Sequence, residues 1–236
     1  MCTISIVPAK DKLIFTFSRD EQTGRKTPEY LMQVDLGFKK IYYARDTRAG
    51  GTWFSADDKG NVALLFNGGF TKHEKTGVYA RSRGLVLLEL ISAVSMLDNF
   101  NAMALDNIEP FSLILFSAGE LFRAVWNGHS KQILPLNPGQ HHIFSSATLY
   151  TDEVQLQRKA WLEDFLAGLP HITDQDMYAF HNAYNPSDKE NGLVIDRNGS
   201  LRTLSISQAI VNEKETFIKH WDVIEQLYYE DKIPRH

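Results

Sequence analysis

The chain has 236 residues, 43% of them hydrophobic and 23% charged, with a net charge of −4. That composition suits a globular fold with a sizeable core. It offers nucleic acid no electrostatic footing, and its longest apolar run, 85–97, is broken by Glu89, Ser92 and Ser95, which excludes a membrane span. The single cysteine excludes an internal disulfide, and with no basic-then-apolar leader at the start the expected compartment is the reducing cytoplasm.

In chain order, residues 2–7 alternate and are rich in β-branched side chains, which predicts a strand. A polar turn over 8–12 leads to a second strand over 13–17, and the two read as a hairpin. Apolar stretches at 30–36 and 41–44 read as short strands or irregular segments. After the glycine break at Gly50-Gly51, residues 52–55 and 62–66 read as strands joined by a turn over 57–61. Asn67-Gly68-Gly69 ends the second of these, and a polar loop follows to Ser82.

Residues 83–100 predict one long buried helix. A second hairpin is expected over 111–116 and 121–126, with 133–136 and 142–144 continuing the same sheet. Asp152 with Gln155 reads as a capping pair opening a helix stopped at Gly168 and Pro170. Thr173 reads as the cap of a shorter helix stopped by Pro186. Late strands are expected over 201–206 and 215–221, and a short helix or tail from 223 onward. Strands at both ends with helices between favour one α+β domain over 1–236, its sheets carrying helices on their outer faces.

Several chemistries have no sequence basis. The eight histidines show no paired spacing for a metal cage, and there is no nucleophile elbow, phosphate loop or dinucleotide fingerprint. The position of the cysteine is the stronger signal. Cys2 follows Met1 directly, and its small side chain permits removal of the methionine. The new terminus would carry a thiol and an α-amine with a pKa of about 7.7–8.0, a nucleophile and its base on one residue. The predicted hairpin turns at the end away from Cys2, so the end of strand two returns Arg19 and Asp20 beside it. The remaining candidates are Trp53 after the glycine pair, Asn67 at a strand end, and Arg202 near a late strand.

Ser18-Arg19-Asp20-Glu21 resembles the Asn-Arg-Asp-Glu signature of the NRDE family, also called the transport and Golgi organisation protein 2 family. The Met1-Cys2 start, Gly50-Gly51-Thr52-Trp53, Asn67, Ser82-Arg83-Gly84, the strand from Pro110 to Leu115, and Arg202-Thr203 follow in the family's order. The resemblance implies an N-terminal nucleophile (Ntn) hydrolase fold, a four-layer α-β-β-α sandwich, similar to choloylglycine hydrolases and penicillin V acylases. It implies an amidohydrolase that cleaves the amide C–N bond of a small acylated molecule. Cys2 would be the nucleophile, Arg19 and Asp20 would surround it, Asn67 would serve the oxyanion, and Arg202 would complete the catalytic set. Trp53 and Ser146 would contact substrate. Ser146 stands where the family run Leu-Ser-Asn has Asn, and Ser18 where the signature has Asn. No metal or cofactor is implied for the hydrolase. The rival reading is a trafficking protein on the same scaffold that binds haem or lipid, and self-association is left open.

Overall fold

The computed structural model describes residues 2–25, 27–28, 30–74 and 77–235. The hairpin is present as β1 (Cys2–Ala9) and β2 (Lys12–Gln22), paired from Cys2↔Arg19 to Ala9↔Lys12. Next come β3 (Leu31–Asp35), β4 (Lys40–Arg45), β5 (Thr52–Asp57) and β6 (Val62–Asn67). The helices α1 (Arg83–Ser92) and α2 (Met96–Ala102) precede β7 (Phe111–Ser117), β8 (Glu120–Trp126), β9 (Lys131–Leu136) and β10 (His142–Ser145). Then α3 (Asp152–Ala167) and α4 (Asp174–Ala183) lead to β11 (Asp196–Arg197), β12 (Leu201–Val211), β13 (Glu215–Asp222) and β14 (Leu227–Pro234).

The strands form two antiparallel sheets. One runs β10-β1-β2-β12-β13-β14 with β11 on β12; the other runs β3 to β9 in chain order. Strand alternation gives each sheet two different faces. Ile4, Ile6, Phe15 and Phe17 of the first sheet meet Phe54, Leu64, Phe66 and Ile114 of the second in a shared core. On the outside of the second sheet, Leu65, Leu113 and Leu115 pack under Val86, Leu87, Leu90 and Phe100 of α1 and α2. On the outside of the first, Val7, Ile14 and Ile210 pack under Leu162, Met177 and Phe180 of α3 and α4. The result is the expected α-β-β-α sandwich, with its central core between the sheets.

Local physics accounts for the departures from expectation. The long helix over 83–100 is two helices. The Lys39 ammonium binds the Ala93 carbonyl at 2.7 Å, and Ser95 caps α2 by accepting the Asp98 N–H. The cap of α3 is Thr151, not Asp152, which is the first helical residue. Thr173 caps α4 as expected, in a reciprocal capping box with Asp176. Residues 142–145 leave the sheet of β7–β9 and pair with β1, Thr3 opposite Ser145, covering an edge that would otherwise be open. The tail from 223 is a turn followed by β14, not a helix. The Asp222 carboxylate accepts the N–H groups of Ile224 and Glu225, and the chain folds back on β13.

Candidate active site

Cys2 and Arg19 are directly paired across β1 and β2, so both side chains emerge on the face turned toward the other sheet. From that sheet come Trp53, near the start of β5, and Asn67, the last residue of β6. These four residues line a cavity of about 600 Å³, closed further by His73 in the loop after β6 and by Arg83 at the start of α1. The glycine pair brings that helix close. Gly50 has a φ of +73°, and a Cβ on Gly51 would lie 2.3 Å from the Gly84 carbonyl carbon. Only a residue without a side chain allows the approach.

Arg19 is almost fully buried. Its guanidinium carbon lies 4.0 Å over the Trp53 ring, and its Nη2 is 3.5 Å from Asp46. Its Nη1 and the Trp53 indole N–H have no hydrogen-bond partner among the described residues. Burial lowers the Arg19 pKa. For Cys2 burial is also the largest influence. It pushes the thiol up to about 11, opposed by the charge of the chain's amino terminus and by Arg19, with Asp20 and Glu21 acting in the same direction as burial. An arginine beside a thiol favours thiolate, but here desolvation of the sulfur outweighs it. Cys2 therefore rests as a thiol at neutral pH.

Three of the residues expected at the site do not line the cavity. Asp20 is buried on the opposite face of β2. Its Oδ1 accepts the Thr203 hydroxyl and its Oδ2 the Tyr150 hydroxyl, both at 2.7 Å. Burial raises its pKa, opposed by Arg158 and these two hydrogen bonds. Arg202 points away from Thr203, half-exposed, and pairs with Asp196 at 3.1 Å. Ser146 is fully buried and acts as a brace. Its N–H donates to the Cys2 carbonyl at 3.0 Å and its hydroxyl to the Asn67 carbonyl at 2.6 Å. It ties the backbone of the candidate nucleophile to that of the candidate oxyanion donor. Removal of Met1, which would free the Cys2 amine, falls on a residue outside those described.

The structure also contains groups that residue-by-residue reading overlooked. Arg158 of α3 is fully buried and bonds Thr3, Ser145 and the carbonyls of Asn191 and Gly192, with its guanidinium 3.7 Å over the Tyr150 ring. Ser18, at the signature's Asn position, faces the helices and bonds His181 at 2.7 Å; the other ring nitrogen meets Ser5 at 2.8 Å. Burial, with Arg158 nearby, brings His181 down to about 3, so it is neutral. Among the described residues, no group of three or more His, Cys, Asp or Glu is placed to hold a metal ion.

Solved structures place this architecture among known folds. A Caenorhabditis elegans N-acylethanolamine-hydrolyzing acid amidase ortholog matches with a TM-score of 0.58 at 12% identity, over 88% of this chain and 92% of that one. Two substituted forms of conjugated bile acid hydrolase from Clostridium perfringens match at TM-scores of 0.48 and 0.49, each at 10% identity. They cover 96% and 100% of this chain, and 94% and 97% of theirs. At such identities the first likeness shows the fold, and no curated protein sequence matches the chain. Residues 1–191 match the Transport and Golgi organisation 2 family model, and the chain belongs to that family.

Proposed function

We propose that this protein is an N-terminal cysteine hydrolase that cleaves the non-peptide amide C–N bond of a small acylated molecule after Met1 is removed. The carrying observation is the convergence of Cys2, Arg19 and Asn67 on one cavity of about 600 Å³. In this reading the Cys2 α-amine takes the thiol proton as sulfur attacks the carbonyl carbon. The Asn67 side-chain N–H donates to the developing oxyanion, an interaction whose loss costs about 2.7–4 kcal/mol where it has been measured in hydrolases. The C–N bond then breaks, the proton passes to the leaving nitrogen, and water hydrolyses the thioester. Trp53 supplies a flat apolar wall for the acyl group, with Arg19 fixed against its ring.

The fold likeness to an N-acylethanolamine-hydrolyzing amidase makes N-acylethanolamines the first substrates to assay. Intact-mass measurement is expected to find Met1 absent. Cys2→Ala and Cys2→Ser are expected to abolish turnover across a panel of acyl amides. Turnover that survives either substitution removes the hydrolase reading. Saturable binding of haem or an acyl lipid with no turnover of any amide moves the protein to the binding reading.

A further inference from the structure

Adjacent residues on β2 serve opposite sides of the sheet, and this separates two neighbouring carboxylates. Leu13, Phe15 and Phe17 enter the core between the sheets. Ile14 packs against the helices, Thr16 meets Gln208, and Ser18 meets His181. Continuing the alternation puts Arg19 and Glu21 on the side of Cys2, and Asp20 on the other. Glu21 lines the cavity and Asp20 does not.

Among the described residues, three carboxylates line that cavity: Glu21, Asp46 and Glu109. Asp46 is committed elsewhere, with Oδ1 accepting the N–H groups of Arg48 and Ala49 and Oδ2 bonding Arg25 at 2.9 Å. Glu109 is held by Arg83 at 3.1 Å and faces His73 at 3.3 Å. Glu21 is less committed. Its Oε1 accepts the Gln22 N–H at 3.0 Å, and Oε2 stands 3.5 Å from Arg25. Glu21, Arg25, Asp46 and Arg19 thus form a run of alternating charge along the wall that ends beside Cys2.

We propose that Glu21, not Asp20, is the carboxylate that works with Cys2, holding the ammonium formed when the α-amine takes the thiol proton. This rests on the hydrolase reading above. As the sulfur–carbon bond forms, the proton moves from thiol to amine, and the Glu21 carboxylate faces the resulting cation. As the C–N bond breaks, the proton passes to the leaving nitrogen. In the second half, a water proton goes to the amine as its oxygen bonds the acyl carbon. The sulfur–carbon bond then breaks, and the thiolate recovers the proton. Glu21 stays ionised throughout. Burial pushes its carboxyl up, but the positive charge of the chain's amino terminus, then the Gln22 N–H, Arg25 and Arg19, bring it below the ordinary value. Asp20, with both oxygens taken by Tyr150 and Thr203, is the buried anchor that locks β2 to β12 and to the segment before α3.

The test uses the full chain with Met1 removed. The single cysteine makes a 15N-cysteine label report on the Cys2 amine alone. Glu21→Gln is expected to lower kcat about 100-fold or more, the usual scale for losing an acid–base partner. It is also expected to lower the amine's titration midpoint by NMR while the melting temperature holds. Glu21→Asp is expected to recover part of both, and Asp20→Asn to lower the melting temperature first. A Glu21→Gln protein with wild-type kcat and an unmoved amine titration overturns the assignment while leaving the hydrolase reading intact. If the wild type turns over no amide, the hydrolase reading fails. The amine titration then decides by itself whether Glu21 faces that nitrogen.

Discussion

Tyr150→Phe tests the role given to Asp20. The substitution keeps the ring beneath the Arg158 guanidinium, 3.7 Å away, and deletes only the hydroxyl that donates to Asp20 at 2.7 Å. The site is buried, so water does not replace the lost donor. A hydrogen bond to a charged group contributes about 1.5–3 kcal/mol, and one to a neutral group about 0.5–1.5 kcal/mol. For a chain of this length 1 kcal/mol moves the melting temperature by roughly 2–4 °C, so a loss of about 3–12 °C is expected where Asp20 is ionised. The sign with pH follows from the raised Asp20 pKa. Above it the carboxylate is ionised and the variant bears the full penalty. As pH falls through it the carboxyl takes a proton, the bond becomes neutral, and the gap from wild type narrows. Urea unfolding of both proteins across pH measures this directly. A penalty equal at every pH, or none at all, would refute the claim that the tyrosine supports a buried carboxylate.

Two further predictions concern the scaffold. Burial brings His181 down to about 3 and His220 to about 4, so both are neutral in the folded chain, while the unfolded chain protonates them below about pH 6.5. Stability is therefore expected to fall with decreasing pH below that point, by up to about 1.4 kcal/mol per pH unit for each histidine. Urea midpoints at pH 7, 6 and 5 check this, and a flat profile contradicts it. Gly51→Ala drives a Cβ into the Gly84 backbone. A loss of about 1–3 kcal/mol is expected from the displaced helix start, and calorimetry showing no change would mean that α1 is free to move.

Much of the fold was legible because strand alternation and β-branched residues are local signals. The β1–β2 hairpin, the strands on either side of Gly60 and the hairpin over 111–126 needed nothing beyond their own residues. The missed elements lacked such signals or depended on distant partners. Four residues at 142–145 carry no information about which sheet they join; the open edge of β1 decides it. The end strand, β14, carries Tyr228, Glu230 and Lys232 on one face and Tyr229, Asp231 and Ile233 on the other, so neither face reads as an apolar stripe. The break between α1 and α2 was readable in principle, since Ser95 followed by Asp98 is a cap.

For the site, the sequence by itself determined that Cys2 sits opposite the residues ending strand two, because a hairpin must return them there. It also determined, through ordered motifs, the family and the sandwich. Tertiary structure decided which residues of Ser18-Arg19-Asp20-Glu21 face the cavity. A one-residue change of register reverses every side chain on a strand, and a motif read as a string does not show its faces. It likewise decided that Ser146 braces Cys2 and Asn67, that Arg202 turns outward to Asp196, and that the Cys2 thiol is held protonated. Each of these follows from burial and from partners far away in the chain, and desolvation depends on what surrounds a group, not on its neighbours in sequence.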